Sequence, residues 1–224
     1  MARSSSGLGH CPFTAKITGS NPVRATNNER FMLEKLSSLI SFDLINGPYI
    51  IGSAVTHSLA QSYYPPTWDP NDIDIICRNE EQMLLLKEKL LPLSGYYNEK
   101  ERTIVSQMFG VHPLQMIWVI DGITITASIR DHSAVEQIKT ADYTVTAAAT
   151  DGKSYLASKQ TLSDIRDKVL RELSFDMNRK CAGTEAIEWI FEKYQTYISR
   201  GFIDKDNAAF NELNKIVADS KRNV

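Results

Sequence analysis

Asp72 and Asp74 are the residues whose type and spacing imply chemistry most directly. In Asp72-Ile73-Asp74-Ile75 acids and apolar residues alternate, so on a strand both carboxylates project from one face while Ile73 and Ile75 pack on the other. Two anions side by side oppose each other unless a cation sits between them, and a hard divalent ion such as Mg²⁺, which takes oxygen ligands, answers that need. A second group lies upstream. Tyr49-Ile50-Ile51 reads as a short apolar strand ending at Gly52-Ser53, after which residues 54–62 can start a helix. A strand that runs through Gly-Ser into a helix N-terminus offers backbone N–H groups and a hydroxyl to a phosphate. Neither half is specific alone, and an ordinary αβ unit with a solvated acidic strand carries the same residue types. Their order, with apolar strands on both sides, is what points to a phosphate cradle beside a metal-binding acid pair.

That order resembles the nucleotidyltransferase superfamily, with its DNA polymerase beta-like fold. Its signature is an apolar strand, Gly-Ser, a helix, and then a strand carrying Asp-x-Asp. The resemblance lands on Gly52, Ser53, Asp72 and Asp74. It implies an α+β fold: a nucleotidyltransferase-like mixed sheet flanked by helices, with a C-terminal helical lobe. It also implies that the Asp pair holds two Mg²⁺ ions, that Gly52 and Ser53 sit against the triphosphate of an NTP such as ATP, and that a nucleotide passes to a hydroxyl acceptor. RNA or tRNA, a protein side chain and a small molecule all remain open as that acceptor. A binding or regulatory protein that keeps the fold without the chemistry is the alternative. Residues 63–70, between Ser53 and Asp72, look like an inserted loop, whose Tyr63, Tyr64 and Trp68 either stack on a base or pack beneath the loop.

The superfamily usually places a third carboxylate on a neighbouring strand, and residues 114–119 carry none. Asp121 follows that strand, but Asp121-Gly122 reads first as a tight turn. Asp142, in Ala141-Asp142-Tyr143-Thr144-Val145, is similar to the Phe-Asp-Phe-Thr stretch of virus- and phage-associated nucleotidyltransferases. In those it precedes a strand and an Asp-Gly turn, supplied here by Asp151-Gly152. Asp142 is therefore the expected third acid, helping Asp72 and Asp74 to hold metal; a strand-edge Asp with no ligand role is the other reading. Lys193-Tyr194 and Arg200-Gly201-Phe202 look like elements of the same group, although a solvated helix face with a core Tyr has the same composition. Arg102, Arg130, Lys153 and Lys168 are the cations considered for the triphosphate or acceptor, against the background that single Lys and Arg residues are usually surface.

These groups need elements to position them. Phe31, Met32, Leu33, Leu36, Leu39 and Ile40 recur at helical spacing behind an Asn cap, giving a packing helix before the catalytic strand. Asn79-x-x-Gln82 reads as a capping box opening a helix over residues 80–91, stopped by Pro92 and Gly95. Residues 103–109 and 114–120 are rich in β-branched and apolar types and read as two strands. Residues 158–173, 183–200 and 206–218 each carry an apolar helical stripe. The expected organisation is thus 1–27 as a disordered segment, 28–157 as the catalytic domain and 158–224 as the helical lobe. Gly19-Ser20-Asn21-Pro22 can be encoded by a run that looks like the T-arm of a tRNA gene, so residues 1–27 are read as translated tRNA-gene sequence, with a genuine flexible tail as the alternative.

Composition sets the outer limits. At 224 residues the chain is long enough for one sizeable core or two small ones. A net charge of −2 argues against a broadly basic surface that coats nucleic acid, so RNA would be met by a few placed cations. Cys11, Cys77 and Cys181 are odd in number and lack Cys-x-x-Cys spacing, which implies neither a disulfide framework nor a zinc site. No apolar run approaches the roughly 18–20 residues of a membrane span. The expected setting is the reducing cytoplasm.

Overall fold

The computed structural model describes residues 16–18, 27–70, 72–101, 112, 114–173 and 184–222. In chain order these form β1 (Lys16–Thr18), α1 (Asn27–Leu39), β2 (Tyr49–Ile51), α2 (Ser53–Ala60), β3 (Asp72–Cys77), α3 (Glu80–Leu90) and β4 (Tyr96–Glu101). Then follow β5 (Leu114–Ile120), β6 (Ile123–Ile129), α4 (Ala134–Lys139), β7 (Ala148–Thr150), β8 (Ser154–Ala157), α5 (Lys159–Arg166), α6 (Thr184–Ser199) and α7 (Ala208–Arg222). Among the described residues the strands make one sheet ordered β1-β8-β7-β2-β3-β6-β5-β4. β3 and β6 pair in parallel, and the other neighbours pair antiparallel.

Alternation decides which face each strand buries. β5 and β6 form a hairpin across Asp121 (φ 52°) and Gly122 (φ 80°), the positive-φ pair that matches strand twist in a two-residue turn. Met116, Trp118 and Ile120 of β5 and Ile125, Ala127 and Ile129 of β6 point to one side and are buried. Ile73, Ile75 and Cys77 of β3 join them in the main core, which is covered by Met32 and Leu36 of α1, Val55 and Leu59 of α2, and Met83 and Leu86 of α3. Ile190 and Tyr197 of α6 and Ala209, Leu213 and Ile216 of α7 lie in that same cluster. On the opposite face a smaller cluster joins Tyr49, Ile76, Ala147 and Ala149 to Ala134 and Ile138 of the short helix α4. One face of the sheet is thus heavily covered and the other only partly.

Several local expectations meet a different outcome. Most of residues 1–27 lies outside the described residues, but Lys16–Thr18 pairs with β8. The strand expected over 103–109 lies outside the described residues as well. The sequence assigned no element to β4, β6 or α4. The helix expected over 158–173 ends at Arg166, because Lys168 turns left-handed (φ 52°) and Val169 and Leu170 instead pair with Ile203. Asn79 caps α3 by accepting from Gln82 N at 2.9 Å, yet the Gln82 side chain accepts from Arg78 N and donates to Asn46 O, so no reciprocal box closes. A full capping box stands instead at Ser133 and Glu136 of α4.

Candidate functional site

Side-chain alternation along β3 places Asp72 and Asp74 on the thinly covered face, in line with Ile76, while Ile73 and Ile75 enter the main core. Asp72 is exposed and Asp74 half-buried. The antiparallel register sets Ile51 of β2 beside Asp74, so the chain reaches Gly52 directly against that carboxylate. Gly52 has φ 88°, and a Cβ on it would stand 2.6 Å from Asp74 Oδ2. Backbone conformation and close approach both demand glycine here. Ser53, the first residue of α2, donates from Oγ to Asp72 Oδ1 at 2.8 Å. Gly52, the N-cap of α2, supplies no side-chain cap to the first-turn N–H groups. Gly52, Ser53, Asp72 and Asp74, chosen from sequence, therefore converge on one spot.

Electrostatics mark the spot as a place for a cation. Burial, and then the neighbouring charge of Asp72, push the Asp74 carboxyl up to about 6, against the opposing pull of Lys193 and Arg130. Among the described residues no hydrogen bond reaches the Asp74 carboxylate. An acid pair of oxygen donors on an accessible face fits a hard divalent ion such as Mg²⁺, which is commonly held by one or two carboxylates plus substrate phosphates.

Asp142 is buried at 7% exposure, and its Oδ2 accepts from Lys193 Nζ of α6 at 2.8 Å. The charge of Lys193 also pulls against the upward shift of Asp74. Among the described residues no three of His, Cys, Asp and Glu form a group that could hold a metal ion. The strand running beside β3 is β6 and not β5. Its register puts Thr124 next to Asp72 and Thr126 next to Asp74, so hydroxyls occupy the same face where a further carboxylate would stand. These threonines and the Asp142–Lys193 pairing escaped the sequence reading. Strict alternation in Ile123-Thr124-Ile125-Thr126-Ala127 was the available signal for the first, and a pairing across 51 residues leaves none for the second.

The remaining candidates have other partners. Asp121 sits in the β5–β6 turn and pairs with Lys35 at 2.7 Å. Arg130, continuing β6, donates to Gln137 Oε1 at 3.3 Å and acts electrostatically on Asp74. Lys168 lies 4.3 Å over the Tyr64 ring, Lys153 is exposed in the β7–β8 turn, and Arg102 lies outside the described residues. Tyr63 is exposed. Trp68 packs edge-on against His57 at 4.7 Å and beneath Arg200 at 4.2 Å. Tyr194 donates to Asp204 Oδ2. Cys77 is a free, buried thiol, while Cys11 and Cys181 lie outside the described residues. No helix among the described residues is long and apolar enough to cross a membrane.

No family model and no curated protein matches this chain. Solved structures do. The chain is similar to a tRNA-processing enzyme in an apo form, at 18% identity over 75% of this chain and 42% of that one, with a TM-score of 0.50. It is similar to a tRNA-processing enzyme complex at 16% identity over 84% and 46%, again with a TM-score of 0.50. A CCA-adding enzyme with ATP aligns at 19% identity over 73% and 37%, with a TM-score of 0.45. The chain spans less than half the length of these structures. The likeness establishes the fold: an α+β mixed sheet flanked by helices, shared with these tRNA-processing enzymes.

Proposed function

We propose that this chain passes a nucleotidyl group from an NTP to a hydroxyl at the end of an RNA, using Mg²⁺ held by Asp72 and Asp74. The observation that carries the reading is the acid pair on the thinly covered face of β3, tied through the Ser53–Asp72 hydrogen bond to the start of α2. RNA is favoured as acceptor by the similarity to tRNA-processing enzymes.

Gly52 and the first-turn N–H groups of α2 receive the β- and γ-phosphates, where a helix N-terminus favours negative charge. Ser53 orients Asp72 through its 2.8 Å hydrogen bond. Lys193 and Arg130, whose charges already act on Asp74, balance the triphosphate. The acceptor oxygen attacks the α-phosphorus, and the bond from that phosphorus to the bridging β-oxygen breaks. Pyrophosphate leaves, and the acceptor hydroxyl gives up its proton to water. Mg²⁺, when bound, would supply neutralisation of the developing charge and a lower pKa for the acceptor hydroxyl. Most of the acceleration then comes from alignment and electrostatics.

Thr124 and Thr126 beside the acids favour a second reading, a nucleotide-binding module without turnover. Each labelled NTP, incubated with Mg²⁺ and total RNA, protein extract or neither, separates the two. Label in RNA that disappears in both Asp72→Asn and Asp74→Asn supports transfer, and label in protein reassigns the acceptor. Saturable NTP binding with no pyrophosphate release establishes the binding module instead.

A further inference from the structure

We infer that the outward face of α3 is a docking surface for a basic amphipathic helix of another protein. The inference goes beyond the proposed transfer and does not rest on it.

α3 carries two apolar stripes where its attachment to the sheet needs one. Met83, Leu86 and Leu90 are fully buried in the main core, which is the single stripe an amphipathic helix requires. Leu84 and Leu85 point the other way, at 58% and 44% exposure, and Leu91, two turns beyond Leu84 on the same side, is exposed as well. Lone exposed leucines are ordinary, but a contiguous set on one face marks an interaction surface. Glu81, Leu84, Leu85 and Glu88 follow the i, i+3, i+4, i+7 spacing of one helix face, and with Asn79 and Gln82 they line a groove of about 480 Å³.

Charge on this face selects the occupant. Among the described residues no ion pair holds Glu81 or Glu88, whereas Glu80 takes His112 at 3.0 Å. Lys87 and the exposed Lys89 stand about 100° to either side of Glu88, and Lys87 is engaged by Glu99 at 2.5 Å. Acids one turn before and one turn after the leucines repel RNA phosphates and anionic lipid headgroups alike. A second copy fits no better, because two antiparallel α3 helices about a two-fold axis would set Glu81 against Glu88 of the other copy. A helix that brings apolar side chains to Leu84 and Leu85 and a cation to each acid answers both features. Because α3 packs on the main-core side of the sheet, opposite Asp72 and Asp74, docking there does not cover the acid pair.

The probe is a labelled peptide of about 18 residues with leucine on one helical face and lysine on the other, beside a twin with glutamate for lysine; each is titrated into the full chain by fluorescence anisotropy at about 0.15 M salt. Saturable binding of the lysine peptide is expected, and weaker binding of the twin. Leu84→Ser combined with Leu85→Ser should weaken it at least about tenfold, and Glu81→Lys combined with Glu88→Lys should reverse the preference between the peptides. Thermal melts confirm that each variant is folded. No saturable binding would overturn the inference, as would equal binding by the double serine variant, which would reduce the attraction to net charge. A photo-crosslinker in place of Leu85 then reports what lies on the face. A link to the lysine peptide is expected. A link only within the chain or between two copies would overturn the inference, and so would binding to phosphatidylglycerol vesicles that the double serine variant loses.

Discussion

Asp164 and Asp74 are both carboxylates that the fold draws away from water, and their surroundings are opposite. Asp164, at 2% exposure, accepts from Thr144 Oγ1 at 2.6 Å, Gln160 Nε2 at 2.8 Å and Arg171 Nε at 3.3 Å. Every lone pair that matters is answered by a donor, and the group serves to join α5, the 144–146 turn and the segment after α5. Asp74 receives no hydrogen bond among the described residues and has another carboxylate two residues away on the same face. Where this chain wants an acid for structure, it surrounds it with donors. The one it leaves wanting a cation sits beside Gly52 and Ser53.

Removing each acid should break the two regions in different ways. Asp74→Asn and Asp72→Asn are expected to lower nucleotidyl transfer at least about 10³-fold, measured as labelled product per minute, while the metal-free variants melt no lower than the wild type. Asp164→Ala should do the reverse. It strands Thr144 and Arg171 and costs about 2 kcal/mol or more in a denaturant titration, and enough folded protein remains at low temperature to show near-normal transfer per folded molecule. If Asp164→Ala silenced the chemistry in folded protein, the contrast between the two acids would fail.

Gly52→Ala is the next largest effect. The new Cβ meets Asp74 Oδ2 at 2.6 Å in a backbone region that L side chains avoid, so both the acid and the start of α2 must shift. The expected outcome is a loss of about 1–2 kcal/mol together with a drop in NTP affinity, read by melting and by equilibrium binding.

The contrast also explains what the sequence made legible. Asp72-Ile73-Asp74-Ile75 and Tyr49-Ile50-Ile51-Gly52-Ser53 were readable because each signal is local: an alternation of period two, and a glycine where the backbone turns. Ile123-Thr124-Ile125-Thr126 alternates just as cleanly, but its polar positions carry no charge to draw attention, so the strand next to the acids was passed over in favour of β5. Residues 158–173 were overextended because Val169 and Leu170 fit a helical stripe, and only the partner Ile203 reveals that they pair in extended form. The union of Asp142 with Lys193 depends on how α6 packs, which no window of sequence contains.

A pH titration tests the electrostatic half of the comparison. The Asp74 value of about 6 lies above its ordinary 3.8, so folding favours the protonated acid. Its stabilising contribution is complete below pH 3.8 and is lost as the pH rises through 6. Linkage bounds the change at about 3 kcal/mol, less what solvent screening removes from a half-buried group. In chelator, the wild type should therefore lose stability between pH 4 and pH 7 relative to Asp74→Asn, and Mg²⁺ should restore it at pH 8. Melting curves for the two proteins that run parallel across this range would show that Asp74 carries no such strain.

The smallest expected effect lies at the end of α6. Arg200 stands 4.2 Å over Trp68 and 5.2 Å over Tyr197, linking the end of α6 to the loop that leads into Asp72. Arg200→Ala removes a partly exposed cation–π contact worth about 1 kcal/mol, or about 2–4 °C in a chain of this length. Trp68 keeps its edge contact with His57, so the loop should stay in place but hold Asp72 less firmly. The KM for NTP should then rise a few-fold with kcat nearly unchanged, since ground-state positioning is what loosens. A fall in kcat at constant KM would mean instead that α6, through Lys193 on it and Arg200 at its end, acts on the transferring phosphate. The acid pair and α6 would then be one functional unit.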